Sequence, residues 1–396
     1  MTIDRMKIVQ GAALLLGGLL DLWFILHLGT DPTGVDSGTY LKNAASFASL
    51  HALLSPTAFG RNYWSAGYSG FLYLFHGLGS SELPAIRTVQ AGMMLSLAVM
   101  AYFLTRSYSR LVATVTLVVV ALSPTLIWGS VWIGYEPLLA WLLTLPLTIL
   151  WCRGARAGWR AAAVSGVLFS LALVVGFQAV IVLPVLVVLA WKSGRARLMA
   201  FGGGLLVPIG LWMARNGLAT GSPVPWTTNG PVTMWIGNNP AATGGYINPP
   251  PIPQGWGHSF TGAVIHFAIT SPEQFLDLQL VKTTRLFAPT RLSPWLWNIP
   301  TGWQRVVIIA QWFGAALVAA VFVLSLCGWL WRQKGSAMSL APLTLFATLF
   351  LAINVPFNVE ARNRMPVETV LLAVCVPTGF DLVSRWRNPG ISATKE

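Results

Sequence analysis

The sequence predicts an all-α polytopic membrane protein, on three observations. Residues of the AVILMFWYC set make up 55% of the 396-residue chain and DEKR only 9%, where a soluble domain carries roughly 25% charged residues. Mean hydropathy is +0.65. The apolar residues gather in runs close to the length that crosses a bilayer, about 20 residues each. This composition excludes a cytosolic enzyme, a disordered chain and a collagen-like fibre. The net charge of +13 does not point to nucleic acid. Its basic residues sit in short loops between apolar runs, where the positive-inside rule puts them.

The runs read in order as about ten spans. Arg5 and Lys7 precede the first, which continues to about Leu28. It is long for a signal peptide, and no small-x-small cleavage site follows, so it reads as an uncleaved span. Further spans read as 84–105, 111–128, 137–152, 161–177, 179–191, 198–214, 305–331, 340–357 and 366–384. Charge tests the count. The inner segments hold Arg5, Lys7, Arg106, Arg110, Arg153, Arg156, Arg160, Lys192, Arg195, Arg197, Arg332, Lys334, Arg385, Arg387 and Lys395, which is 15 of the 25 Lys and Arg. The outer segments are far longer and hold the other 10. Both termini then lie in the cytoplasm. A nine- or eleven-span count would leave a basic end outside.

The chain divides on this reading into a transmembrane module over 1–214, a large outer loop over 215–304 and a three-span segment with a cytoplasmic tail over 305–396. The first outer loop, 29–83, contains an apolar stretch over 71–79, too short to span and read as interfacial or re-entrant helix. Asn248, Pro249, Pro250, Pro251 and Pro253 forbid helix in the middle of the large loop. That loop is expected to fold in order over the outer membrane face. Cys152, Cys327 and Cys375 lie in or beside apolar runs without ligand spacing and read as small buried hydrophobes.

Most of the acids sit outside: Asp31, Asp36, Glu82, Glu136, Glu273, Asp277, Glu360 and Glu368. An ion-coupled transporter needs acids near the bilayer midplane, and only Asp21 is placed for that. The distribution favours chemistry at the outer surface. Asp36 stands before a segment starting near Gly38 and reads either as a helix N-cap or as a functional acid. Glu136 precedes Pro137 and reads either as a first-turn acid or as a site residue. They are a hundred positions apart, yet both belong on the outer face.

Several blocks together resemble one superfamily. Asp36 with Tyr40 is similar to the first-loop Asp-x-x-x-Tyr signature of the GT-C glycosyltransferases, the polytopic enzymes that include protein O-mannosyltransferases and the lipid A aminoarabinose transferase. Residues 64–72 (WSAGYSGFL) resemble that family's Trp-Pro-Pro-Gly-Tyr-Pro block without its prolines. Residues 83–87, 121–124, 135–137, 212–216, 237–245 and 360–366 follow in the family's order. Ser37 stands where many relatives have a second acid, and Gln178 where they often have Arg. The resemblance covers about 10–380.

The resemblance implies a GT-C-like fold and sugar transfer from a polyprenyl-phosphate donor to a lipid, glycan or protein acceptor at the outer face. Phosphate leaves readily, so one well-placed base on the acceptor suffices, and direct displacement inverts the anomeric carbon. Asp36 is the expected base, with Glu136 orienting the acceptor or holding a cation. The donor phosphate needs guanidinium on the outer side. Arg362 and Arg364 are the best-placed pair, with Arg215, Arg61 and Arg87 as further candidates. Contact with lipid headgroups explains such arginines equally. Tyr40, Asn238, Asn239 and Tyr246 are candidates to meet the sugar or the acceptor, though the Asn/Gly run also reads as a structural turn. His258 and His266 lack zinc-ligand spacing. A divalent cation stays open.

No Walker or dinucleotide block is present, so a nucleotide-sugar donor is not expected. A lipid or oligosaccharide flippase and a non-catalytic scaffold are the readings in other classes. The compartment reads as a bacterial inner membrane with a periplasmic site, although an ER membrane with a lumenal site has the same pattern.

Overall fold

The computed structural model describes residues 3–32, 34, 36–153, 158–288, 301–330 and 340–387. Among these, all regular structure is helical. Arg156, Arg332, Lys334 and Lys395, used above for topology, lie outside the described residues, as does the end of the large loop over 289–300.

The first apolar run is one helix, α1 (Ile3–Leu28). The segment over 29–83 follows with two eight-residue helices, α2 (Ser37–Ala44) and α3 (Ala66–Tyr73), separated by single helical turns over Leu50–Leu53 and Phe59–Asn62. Next come α4 (Glu82–Thr105), α5 (Arg110–Ala121), α6 (Pro124–Val131), α7 (Tyr135–Arg153) and α8 (Trp159–Val175). A 3-10 turn over Phe177–Val182 leads into α9 (Leu183–Lys192), then α10 (Arg195–Thr220). The large loop carries α11 (Gly230–Gly237), α12 (Phe260–Thr270) and α13 (Pro272–Leu286). The chain continues through α14 (Thr301–Leu330), α15 (Ala341–Asn354), a 3-10 turn over Ala361–Arg364 and α16 (Met365–Arg387).

Among the described residues five helices are long and apolar enough to cross a membrane, and six if α5 and α6 count as one broken span. The remaining predicted spans coincide with shorter apolar helices. The third predicted span is not straight: α5 and α6 meet at a bend of 45°. Pro124 explains the break. Its ring disfavours α conformation in the residue before it, and Ser123 is extended at φ −64°, ψ 121°. Beyond the predicted end of the seventh run, α10 continues until Gly221 closes it in the left-handed conformation at φ 71°. Arg215 and Asn216 therefore sit on a long helix, not in the loop assigned to 215–304.

Two glycines let α8 and α10 cross closely. A Cβ on Gly166 would come 2.1 Å from the Phe201 carbonyl oxygen, and one on Gly204 would come 2.1 Å from that of Ala163. Small residues at such crossings replace the hydrophobic drive that lipid removes. At the end of the bundle that carries Asp36, Tyr40 of α2 and Tyr68 and Leu72 of α3 are buried with Ile86, Ile133 and Leu139 in the main core. The segment over 29–83 is therefore packed into the bundle. The large loop has its own cluster, Trp235 with Ala263 and Val264. Trp235 is fully buried and its indole N–H donates to the Pro250 carbonyl at 2.8 Å. The proline run over 249–253 stays non-helical, as predicted.

Candidate functional site

Three segments far apart in sequence meet at one end of the helix bundle. Asp36 precedes α2. Its backbone carbonyl accepts from the Thr39 and Tyr40 amides, both at 3.1 Å, but its carboxylate makes no capping hydrogen bond. The acid is thus turned to another use: Oδ2 lies 3.8 Å from Nη2 of Arg362. Glu136 stands in the first turn of α7, where the helix dipole favours an anion. Its side chain is only 1% exposed, and Oε1 lies 3.4 Å from Nη1 of Arg362. Arg362 comes from the turn between α15 and α16. Its Nε is 2.7 Å from Glu360 Oε2, an ionic contact at an angle unlike that of a hydrogen bond.

Supporting residues hold these three in place. The Trp132 indole N–H donates to Glu136 Oε2 at 3.1 Å. The Trp132 ring also lies under the Arg362 guanidinium, 5.5 Å from it. Glu360 and Asn363 cap each other reciprocally across the turn that carries Arg362. Glu136 Oε1 is buried and accepts no hydrogen bond among the described residues. An orphaned carboxylate oxygen of this kind is costly in a protein interior unless a ligand or proton completes it.

Burial lifts the Asp36 carboxyl above the ordinary aspartate range; Arg362 pulls it back and Glu360 pushes it further up. Tyr40 is 4% exposed and packs edge-on against Trp64 at 5.8 Å and Tyr68 at 5.2 Å. Burial, then the neighbouring Tyr135, Glu136 and Asp36, hold its phenol well above the usual range, so it keeps its proton and can donate. Gln178 donates to the Tyr135 hydroxyl at 3.1 Å.

The other predicted residues are placed differently. Arg364 pairs with Glu368 at 2.6 Å and donates to the Leu286 carbonyl at 2.9 Å. Arg215 donates to the Leu53 carbonyl and to Asn62 and Asn216 Oδ1, and stacks between Phe59 and Trp212. Arg87 is fully buried and ties the Gly29, Asp31 and Val131 carbonyls together. These three guanidinium groups are taken up inside the protein, which leaves Arg362 as the arginine of the site. Arg61 is exposed, at φ 56°.

Asn238 and Asn239 are each 1% exposed, and their amides do not face the cluster as free sugar ligands. Asn238 Nδ2 donates to the Met234 and Pro356 carbonyls, and its Oδ1 accepts from Lys282 and Gln279. Asn239 bonds the Trp235 carbonyl and the Ala241 amide. These contacts, with the Val359 amide on the Gly244 carbonyl at 2.8 Å, clasp the large loop against the segment leading to Arg362. Tyr246 is 58% exposed. His266 packs tilted against Trp256, with ring centroids 4.6 Å apart.

No three His, Cys, Asp or Glu side chains gather as metal ligands among the described residues. A guanidinium already lies between the carboxylates of the cluster, so this arrangement does not fit a divalent cation, and no step below runs through one.

Trp132, Tyr135 and Glu360 had no site role in the sequence, although Glu360 counts among its acids and 135–137 among its family-like blocks. Trp132 and Tyr135 flank the Glu136 block, and Glu360 stands two residues before Arg362, so proximity to the chosen charges was the available signal. Fold and cluster together define an α-helical membrane protein with a buried carboxylate–guanidinium site at one end of its bundle. Comparison with known proteins adds no family: no family model and no curated protein matches the chain.

Proposed function

We propose that this protein is a glycosyltransferase of GT-C type, with about ten spans, that moves a sugar from a polyprenyl-phosphate donor to an acceptor hydroxyl at the periplasmic face of a bacterial inner membrane. The observation that carries the reading is the convergence of Asp36 and Glu136 on Arg362 from three separate segments. Asp36 is the half-exposed member, free of capping bonds, with a carboxyl lifted toward the range useful for a base.

In the reaction the acceptor oxygen forms a bond to the anomeric carbon as the bond from that carbon to the phosphate oxygen breaks. The hydroxyl proton passes to Asp36, and the lipid phosphate leaves with the bonding pair. Displacement from the rear inverts the anomeric centre. Arg362 lies where it can meet the charge growing on the phosphate, and Tyr40 and Glu136 orient the groups around it. Arg61 is an exposed cation available to a phosphate near the same loop.

Purified protein in detergent is the test, supplied with a panel of polyprenyl-phosphate sugars and candidate acceptors. Transfer by the wild type that collapses in Asp36→Asn, with the product linkage inverted, supports the reading. Retained linkage, or transfer untouched by the substitution, removes Asp36 as base. A second reading, a lipid or oligosaccharide flippase, draws on Asp21, which is buried within α1 and accepts from Ser130 at 2.8 Å. Donor that crosses the bilayer without being consumed would favour it.

A further inference from the structure

A large cavity among the described residues is at the other end of the bundle from Asp36, Glu136 and Arg362. It has a volume of about 1020 Å³ and is lined at the start of α1, the end of α4, the start of α5 and the ends of α7 and α9. Helix α7 measures the separation: Glu136 is in its first turn, while Trp151 and Cys152 in its last turn face the cavity. At 1.5 Å per residue the two sites are about 24 Å apart.

Four cations line this cavity, Lys7, Arg106, Arg110 and Lys192, and no acid does. None of the four is ion-paired among the described residues. Arg106 lies 4.9 Å over the Phe103 ring, which leaves its guanidinium edge free to donate. Like charges gathered without a counter-ion repel one another, and a bound anion relieves the repulsion. The positive-inside rule accounts for basic residues at this end; it does not account for four of them around one cavity. Ile3 and Met6 stand beside Lys7 and Gln10 on the α1 side of the wall, so the anion also meets apolar surface. Pockets for small ligands run to roughly 1,000 Å³, which this one matches.

We propose that the cavity is a binding site for a phosphate-bearing anion, with Arg106 and Arg110 as its principal ligands and Lys7 and Lys192 completing the charge. The source is either a lipid phosphate headgroup of the inner leaflet or free phosphate. The site does not depend on the sugar-transfer reading and survives its failure.

The full-length protein in phosphatidylcholine nanodiscs doped with phosphatidic acid tests it, by native mass spectrometry of retained lipid. The wild type is expected to keep phosphatidic acid in preference to phosphatidylcholine. Arg106→Gln with Arg110→Gln should weaken retention at least tenfold, and Arg106→Lys with Arg110→Lys should largely preserve it. Gln10→Trp fills the cavity without altering charge and should weaken retention as strongly. Displacement of the lipid by inorganic phosphate assigns recognition to the phosphate itself; retention in the face of it assigns the headgroup with its chains. Size-exclusion profiles establish that each variant is folded. Phosphatidic acid kept no better than phosphatidylcholine overturns the proposal. So does Gln10→Trp binding like the wild type, which would reduce the effect to general surface charge.

Discussion

Trp132 donates its indole N–H to the carboxylate of Glu136, four residues later, at 3.1 Å. Gly134 makes that reach possible. A Cβ there would stand 2.2 Å from the indole nitrogen and 2.5 Å from Glu136 Oε2. Both distances are far inside van der Waals contact, so an added methyl must push donor and acceptor apart. Gly134→Ala should therefore lower transfer activity by more than it lowers expression. The activity ratio of variant to wild type, normalised to folded protein, checks this; an unchanged ratio would show that Glu136 keeps its orientation without Trp132.

Asp36 sets a pH dependence. As a base it works deprotonated, so activity falls as pH drops through its pKa. Burial raises that pKa above the ordinary range, and the acid limb of the rate profile should be displaced upward with it. Asp36→Asn should remove the limb and reduce kcat by about 10²- to 10⁴-fold, the usual share of a general base. Asp36→Glu, which restores a carboxylate, should recover part of the rate with a shifted limb. A wild-type profile flat through the carboxylate range would contradict the assignment.

Glu136 and Arg362 should be coupled energetically. Removing Arg362 leaves Glu136 buried without its counter-charge, a loss of about 3–5 kcal/mol in comparable buried pairs. Arg362→Gln should be strongly destabilising, and Glu136→Gln less so, since it leaves a partly exposed arginine with Glu360 and Asp36 still beside it. The double variant Glu136→Gln with Arg362→Gln should be more stable than the sum of the two singles predicts. Thermal melts of the four proteins in one detergent measure the cycle, and strict additivity would mean the pair does not interact.

Lys282 is fully buried and donates to Asn238 Oδ1 at 2.6 Å. Burial pushes its amine down to about 7 from 10.5. A depressed pKa means that the unfolded chain binds the proton more tightly than the folded one. Stability tied to this group is then complete above pH 10.5 and is lost as pH falls toward about 7. Lys282→Met should flatten the melting temperature across that interval. An identical slope in the variant would locate the dependence elsewhere.

Arg364 offers the contrast with Arg362. Its pairing with Glu368 and the Leu286 carbonyl is internal. Arg364→Gln should reduce stability while leaving KM for the donor unchanged in the folded fraction. A rise in KM at constant melting temperature would restore it to the phosphate site.

Much of this was written in the sequence. Among the described residues the ten apolar runs fall largely on helices, and five of those helices, or six with the broken pair, are long and apolar enough to cross a membrane, where a helix satisfies its own backbone hydrogen bonds. Whether each run crosses straight was not legible. The bend at Ser123 depends on a single proline, and the end of α10 on a single glycine at positive φ. The pairing of Asp36 with Glu136 could be anticipated only as a shared face. Among the arginines, sequence ranked Arg362 and Arg364 together; the difference lies in which carbonyls and carboxylates surround each, and no pattern of spacing encodes that. The asparagines at 238 and 239 stayed open between turn and sugar contact for the same reason: an amide that clasps two backbone segments and an amide that grips a sugar have the same letter.

The clasp of Asn238 on the Pro356 carbonyl joins positions 118 residues apart, and it imposes a timetable on synthesis. Asp36 and Glu136 emerge early, whereas the arginine that balances them is made after α14 and α15. Until then Asp36 and Glu136 lack the guanidinium that lies between them, and the segments that carry them have reason to stay apart. Closure of the end around Asp36 is therefore a late event, completed only when the returning chain brings Arg362 under the large loop. A ribosome stalled before Arg362 should display an open, protease-sensitive end around Asp36, and one stalled well beyond it a closed end.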